Sequence, residues 1–213
     1  RYEPYTETLA IIMITKEKFR KEASFNIEDD EFELSVYSKI FDKEINLKVI
    51  PELSDNVDEK DGITDRIIEI SNDLINLDFS NLTSVQETAW KCFNRYSELC
   101  SFTLNVDDEQ YEKDEISKDE YQSLNKKRQQ DLYEIYNKED CWNKIGEPEY
   151  RTCLSPRIWN HRFGLITFYP EWEEVGLNVL VRNGKIIGYA NGLDPIIRKF
   201  DDPKLKSVYE LWD

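Results

Sequence analysis

The chain of 213 residues has one histidine, His161, so no second imidazole is available to complete most acid–base or metal arrangements. It sits between Asn160 and Arg162 in a segment of strand character, where a surface or hydrogen-bonded structural histidine is expected rather than a catalytic base. No serine occupies a G-x-S-x-G elbow, and the seven glycines form neither a G-x-x-x-x-G-K-[ST] loop nor a G-x-G-x-x-G fingerprint. Nucleotide-dependent chemistry is therefore not expected. Carboxylates are so numerous that pairs such as Asp29-Asp30, Asp107-Asp108 and Glu173-Glu174 arise without purpose, and neighbours on a strand face opposite ways. Two or three that converge from distant positions could still hold magnesium or calcium. One stretch, Val57 to Ile68, places Gly62 at the turn position of a calcium loop, but Val57 and Ile68 replace the two terminal carboxylates that loop requires. That motif is rejected. The sequence assigns no catalytic, cofactor-binding or metal-binding residue.

Cys92, Cys100, Cys141 and Cys153 form no C-x-x-C pair, so reduced thiols are expected rather than a zinc site or a disulfide scaffold. Cys92 and Cys100 fall on one face of a helix, as small packing residues would. Trp159, Phe163, Phe168, Tyr169 and Trp172 cluster late in the chain; they are expected to pack in the core, although such a group also suits a cleft or an interface.

The elements that would position these groups read as follows. Leu9 to Ile14 is an apolar, β-branched run expected as a buried strand. Phe32, Leu34 and Val36, then Ile45, Leu47 and Val49 after Asp42-Lys43-Glu44, alternate as a hairpin with one buried face, ended by Pro51. Ser54 to Gly62 is turn-like, and from Ile63 the residues Ile67, Ile70 and Leu74 recur at helical spacing. A second helix follows Thr83-Ser84, which offer two overlapping capping boxes with Gln86 and Glu87, and its stripe of Val85, Ala89, Cys92, Phe93, Tyr96, Leu99 and Cys100 predicts the central helix.

Asp107 to Glu115 reads as an acidic connector, after which Ser117 and Glu120 form a capping box for a charged helix reaching about Asn137. Its thin stripe of Tyr121, Leu124, Leu132 and Ile135 predicts a surface helix or a projecting insertion. Arg157 to Tyr169 is β-prone. Leu177 to Arg182, Asn183-Gly184 and Lys185 to Ala190 specify a type I′ hairpin, because both turn positions need positive φ. Leu193 to Phe200 and Leu205 to Trp212 could form short closing helices or irregular tail, with breaks at Pro195 and Pro203. The expected fold is α+β, with antiparallel hairpins forming a sheet packed against two or three helices. Residues 1–213 are expected to form a single domain carrying a charged helical excursion at about 107–140.

The 28 basic and 44 acidic side chains give a net charge of −16, which repels phosphate backbones and anionic lipid surfaces at long range. Direct nucleic-acid binding is disfavoured. No stretch approaches the roughly 20 apolar residues needed to cross a bilayer, so no membrane partner is expected.

At Trp172-Glu173-Glu174-Val175-Gly176-Leu177-Asn178-Val179, ending in Asn183-Gly184-Lys185-Ile186-Ile187-Gly188, the sequence resembles an uncharacterised bacterial family of immunity-like proteins. Members of that family close with a Trp, acidic residues, His-Gly-Leu-x-Val and a glycine-turn hairpin. Val175 stands where the family has its His, and the spacing from the Trp is one residue shorter, so no role for that His carries over. The hairpin at Phe32 to Ile50 and the Asn-Leu-rich junction at Leu74 to Leu82 fit the family's layout. The resemblance implies a fold and a cytoplasmic, bacterial setting, and it supplies no catalytic residues.

Charge, missing motifs and resemblance together predict an acidic protein that binds a basic protein such as a toxin. Asp107, Asp108, Glu109, Glu112, Asp114 and Glu115 are the candidate contacts, with Glu173 and Glu174 as a second patch. The alternatives are a metal-dependent hydrolase built from dispersed carboxylates and an accessory domain of a larger chain.

Overall fold

The computed structural model describes residues 13–51, 62–152, 163–173 and 176–191. The expected closing helices, most of the expected strand at Leu9 to Ile14, the first five residues of the rejected calcium loop, Cys153, Trp159, His161 and Glu174 lie outside them.

Seven strands form one sheet in sequential order: β1 (Ser24–Asn26), β2 (Glu31–Ser38), β3 (Lys43–Val49), β4 (Glu149–Thr152), β5 (Phe163–Phe168), β6 (Leu177–Arg182) and β7 (Lys185–Asn191). All neighbours are antiparallel except β3 and β4, which run parallel. A parallel pair cannot be closed by a tight turn, and the long crossover here carries most of the helices. The α+β class is as the sequence predicts.

The alternation read at Phe32 to Val49 is the hairpin β2–β3, in which Phe32 faces Val49, Leu34 faces Leu47 and Val36 faces Ile45. All six side chains are buried on the helix side of the sheet. The Asn-Gly turn is also in place: Asn183 and Gly184 have φ of 51° and 70°, and β6 and β7 pair across them. The β-prone stretch from Arg157 contributes β5, which begins at Phe163 within the described residues.

Helix α1 (Lys16–Glu22) precedes the sheet, capped by the Thr15 hydroxyl. The crossover holds α2 (Asp65–Ile75), α3 (Leu82–Leu99), α4 (Asn105–Glu112), α5 (Lys118–Tyr133) and α6 (Lys138–Asn143). Six α-helices lie among the described residues, and the two that pack most against the sheet, α2 and α3, match the two or three expected there. Helix α2 lies across the middle strands with Ile67, Ile70 and Leu74 buried as their spacing requires, while α3 covers β6 and β7. Gly164 on β5 admits this approach: a Cβ there would stand 2.6 Å from Leu74 Cγ.

Several expectations are corrected. Residues 13–15 are not a strand; instead Asn72 grips the Ile14 backbone, accepting from its N–H at 2.8 Å and donating to its carbonyl at 3.0 Å. The side-chain amide does what a neighbouring strand would do. The capping boxes at Thr83 and Ser84 do not form, because α3 starts at Leu82 from a 3-10 turn, Phe79–Asn81, whose Ser80 N–H is capped by the Asp78 carboxylate. The supposed connector from Asp107 is mostly helix α4. Asp107 sits at its third position and accepts from the Leu104 N–H at 2.9 Å, so the acidity read as linker composition is a helix start. Helix α5 stops at Tyr133, where Glu134 turns left-handed with φ 52°, and it does not project freely. It packs on α3 through amides: Gln129 donates to the Phe93 carbonyl at 2.8 Å, and Asn125 donates to the Ser97 and Cys100 carbonyls and accepts from Phe102 N–H. An apolar-stripe reading does not detect polar packing of this kind.

An aromatic chain ties α3 to the turn after β5. Trp172 meets Phe93 edge-on at 5.3 Å and Tyr96 at 6.3 Å, and Phe102 links Tyr96 to Tyr133. Phe163, Phe168 and Trp172 are buried, whereas Tyr169 is 53% exposed. Packing accounts for the first three.

Candidate functional site

The candidate acids divide by what they touch. Asp107 is 5% exposed, and its Oδ2 receives both the Leu104 N–H and Arg128 Nη2, the latter at 2.8 Å. Asp108 accepts from the Thr103 hydroxyl and the Tyr121 hydroxyl, each at 2.7 Å, and these bonds hold its carboxyl below the usual range, the Thr103 bond contributing most. Both acids lock α4 onto α5 instead of offering themselves to a partner. Glu109, Glu112, Asp114 and Glu115 stay on the surface, where Glu109 makes only a 3.5 Å pair with Lys113 one turn on. Such an exposed pair adds little stability.

At the start of α5 the expected capping box is present: Glu120 N donates to Ser117 Oγ at 3.3 Å, and Ser117 N donates to Glu120 Oε2 at 2.8 Å. The backbone N–H, followed by the Ser117 hydroxyl, lowers the Glu120 pKa. From Glu109 to Glu120 the chain therefore turns a corner carrying six acids against two lysines. Beside that corner stand exposed apolar side chains that periodicity does not single out: Leu104 at 53%, Val106 at 54% and Tyr111 at 38%. Tyr111 stacks on Tyr121 with centroids 4.6 Å apart.

Glu173 does not form a second surface patch. It is 4% exposed, and its backbone closes the turn by donating to the Pro170 carbonyl and accepting from Gly176. Its partner in the expected patch, Glu174, lies outside the described residues.

Two cavities bear on convergent chemistry, with linings as follows among the described residues. One of about 470 Å³ lies between Tyr133, Lys144, Tyr169 and Trp172, and the single carboxylate lining it is Glu171. Lys144 is committed there to the Tyr133 carbonyl at 2.8 Å and to Glu134 at 3.2 Å. The other, of about 300 Å³, lies between Cys100, Tyr111, Tyr121 and Asn125 and is lined by no carboxylate. Neither arranges paired acids for hydrolysis. Burial pushes the Cys141 thiol up to about 12, with Asp140 adding to it, and raises Cys92 further still, with the Glu173 charge second. Neither thiol is poised as a nucleophile.

A second polar group lies on the face of the sheet opposite the helices. Glu31 at 1% exposure meets Arg151 Nη2 at 2.8 Å and Lys48 Nζ at 3.5 Å, and Lys48 reaches Glu149 at 3.3 Å. One carboxylate oxygen each from Asp29, Glu31 and Glu33 lies within 4.8 Å of the other two. The alternate spacing of these acids, Glu31 and Glu33 on one face of β2 and Asp29 in the turn two residues before, is the signal that could have found them. Among the described residues, no helix is long and apolar enough to cross a membrane. No family model, curated protein or solved structure matches the chain.

Proposed function

We propose that this chain is a protein-binding protein that docks a basic partner on the corner between α4 and α5, most concretely an immunity protein that occludes a basic bacterial toxin. One observation carries the reading: Glu109, Glu112, Asp114 and Glu115 remain exposed on α4 and just after it, where Leu104, Val106 and Tyr111 are also exposed, while Asp107 and Asp108 turn inward to brace the same corner. Exposed acids and exposed apolar side chains on one helix match how interfaces divide their work. The charges speed encounter and select sign, and the desolvated apolar and tyrosine contacts supply most of the affinity. Two helices joined by internal bonds also keep the surface rigid before binding, which lowers the ordering cost. Carboxylates arrayed in this way imitate the anionic substrate of a nuclease, and a net charge of −16 draws a basic protein from a distance.

Co-expression with the product of a neighbouring toxin gene tests the reading. A complex that survives purification at low salt, dissociates at high salt and abolishes the toxin's activity supports it. Toxin activity that persists over excess protein sinks it.

The alternative of metal-assisted hydrolysis draws on the grouping of Asp29, Glu31 and Glu33. Neither of the two cavities described above is lined by these residues. Binding is the better-supported reading.

A further inference from the structure

We propose that the cavity at the C-terminal end of α5, walled by Tyr133, Tyr169 and Trp172, is a groove for a proline-rich peptide segment that carries a basic residue. This site goes beyond the acidic corner. Tyr133 ends α5 whereas the corner lies at its start, and a helix of 16 residues is about 24 Å long.

The cavity measures about 470 Å³, within the range of sites that hold small ligands and short peptide segments. Its aromatic walls are fixed in place. Trp172 is 1% exposed and stands edge-on to Phe93 with centroids 5.3 Å apart. Tyr169 is 53% exposed, and its ring lies against Gly176, where a Cβ would stand 3.1 Å from Tyr169 Cε1. Gly176 has φ of 81°, a conformation that favours glycine, so the missing side chain leaves the space this ring occupies. Lys144 secures the Tyr133 backbone by donating to its carbonyl at 2.8 Å.

An independent observation calls for an acceptor. Trp172 Nε1 is buried and has no hydrogen-bond partner among the described residues, and the same side chain forms part of the cavity wall. An indole N–H can only donate, and leaving such a donor unsatisfied costs about 1–3 kcal/mol. A ligand carbonyl seated against Trp172 would supply the partner.

The chemistry of the walls selects the ligand. Proline rings pack on the faces of tyrosine and tryptophan, and a polyproline II chain makes no hydrogen bonds within itself, so its carbonyls are open to an N–H from the wall. Such a chain is extended before it binds, which lowers the ordering cost. Glu171 lines the cavity, and with the net charge of −16 it favours a basic residue beside the prolines and opposes anionic ligands.

Titration calorimetry of the full chain with a peptide of five prolines followed by one arginine tests the groove. Saturable binding of one peptide per chain is expected, and the same peptide with alanine for every proline should bind at least about tenfold more weakly. Tyr169→Ala should weaken the proline peptide by about tenfold, as loss of an aromatic anchor does. Trp172→Phe keeps a ring and removes the N–H, and it should weaken the peptide by about threefold to tenfold, the worth of one hydrogen bond. Absence of saturable binding, equal binding of the alanine peptide, or unchanged affinity in either variant overturns the proposal. Tyr169 is exposed, so Tyr169→Ala provides a folded comparison should Trp172→Phe unfold.

Discussion

Arg128 Nη2 and Asp107 Oδ2 lie 2.8 Å apart, and that single carboxylate oxygen also receives the Leu104 N–H, so one acid both starts α4 and fastens it to α5. The exposed acids of the corner depend on this brace for their position.

Asp107→Ala should therefore lower stability by about 2 kcal/mol, since it removes a helix-start acceptor and leaves Arg128 without its partner. Arg128→Ala should cost less, because Arg128 is 34% exposed in its side chain and water can replace part of the loss. Denaturant unfolding of both single variants and the double variant should show coupling of about 1 kcal/mol; strict additivity would mean that the pair does not act as a unit.

Asn125 closes the end of α3 with three backbone bonds, to Ser97, Cys100 and Phe102. Asn125→Ala should cost about 2–3 kcal/mol, because buried backbone groups lose their partners. A change below about 0.5 kcal/mol in urea denaturation would show that α5 is not clamped by amides.

Gly164→Ala places a methyl group 2.6 Å from Leu74 Cγ, where sheet and α2 touch. The expected loss is about 1–3 kcal/mol from overpacking, and Leu74→Ala alone should lose about 2–5 kcal/mol from the cavity it leaves. Combined, the two should cost clearly less than their sum. Additive losses in thermal melts would contradict the close approach.

How much of this could be read from sequence depends on the kind of signal. The Asn183-Gly184 turn and the Phe32 to Val49 alternation were legible because local backbone chemistry and one-sided burial act on neighbouring residues. The Ser117 and Glu120 box was legible for the same reason. Helix α4 was not, since a helix whose start is marked by an acid at its third position resembles an acidic loop in composition. The parallel β3–β4 pairing and the burial of Asp107, Gln129 and Glu173 depend on contacts distant in sequence or on polar side chains, neither of which leaves a periodic trace. The outcome for the proposed contacts follows: of the six acids at 107–115, the two nearest the helix start are used internally, and the four beyond it remain exposed.

Acid should loosen the corner. Asp108 and Glu120 have lowered pKa values through their hydrogen bonds, so their contribution is complete above the ordinary carboxylate pKa of about 4 and is lost as pH falls through the lower folded values. Melting temperatures recorded from pH 7 downward should fall less steeply below about pH 4 for Asp108→Asn than for the parent. Parallel curves would show that Asp108 does not report the corner.

Charge reversal should affect capture and leave folding intact. Glu109→Lys, Glu112→Lys and Glu115→Lys together lie on exposed positions and should change stability by no more than about 0.5 kcal/mol. Stopped-flow association with a neutralised basic toxin should slow by about tenfold or more at low salt and converge with the parent at high salt. An unaltered rate would place the encounter elsewhere.

The account rests most directly on negative potential being concentrated at this corner. Comparing NMR relaxation enhancement by a cationic and an anionic nitroxide reads that potential amide by amide. The largest excess of cationic over anionic enhancement is expected at residues 109–120. An even excess over all described surface amides would contradict the account.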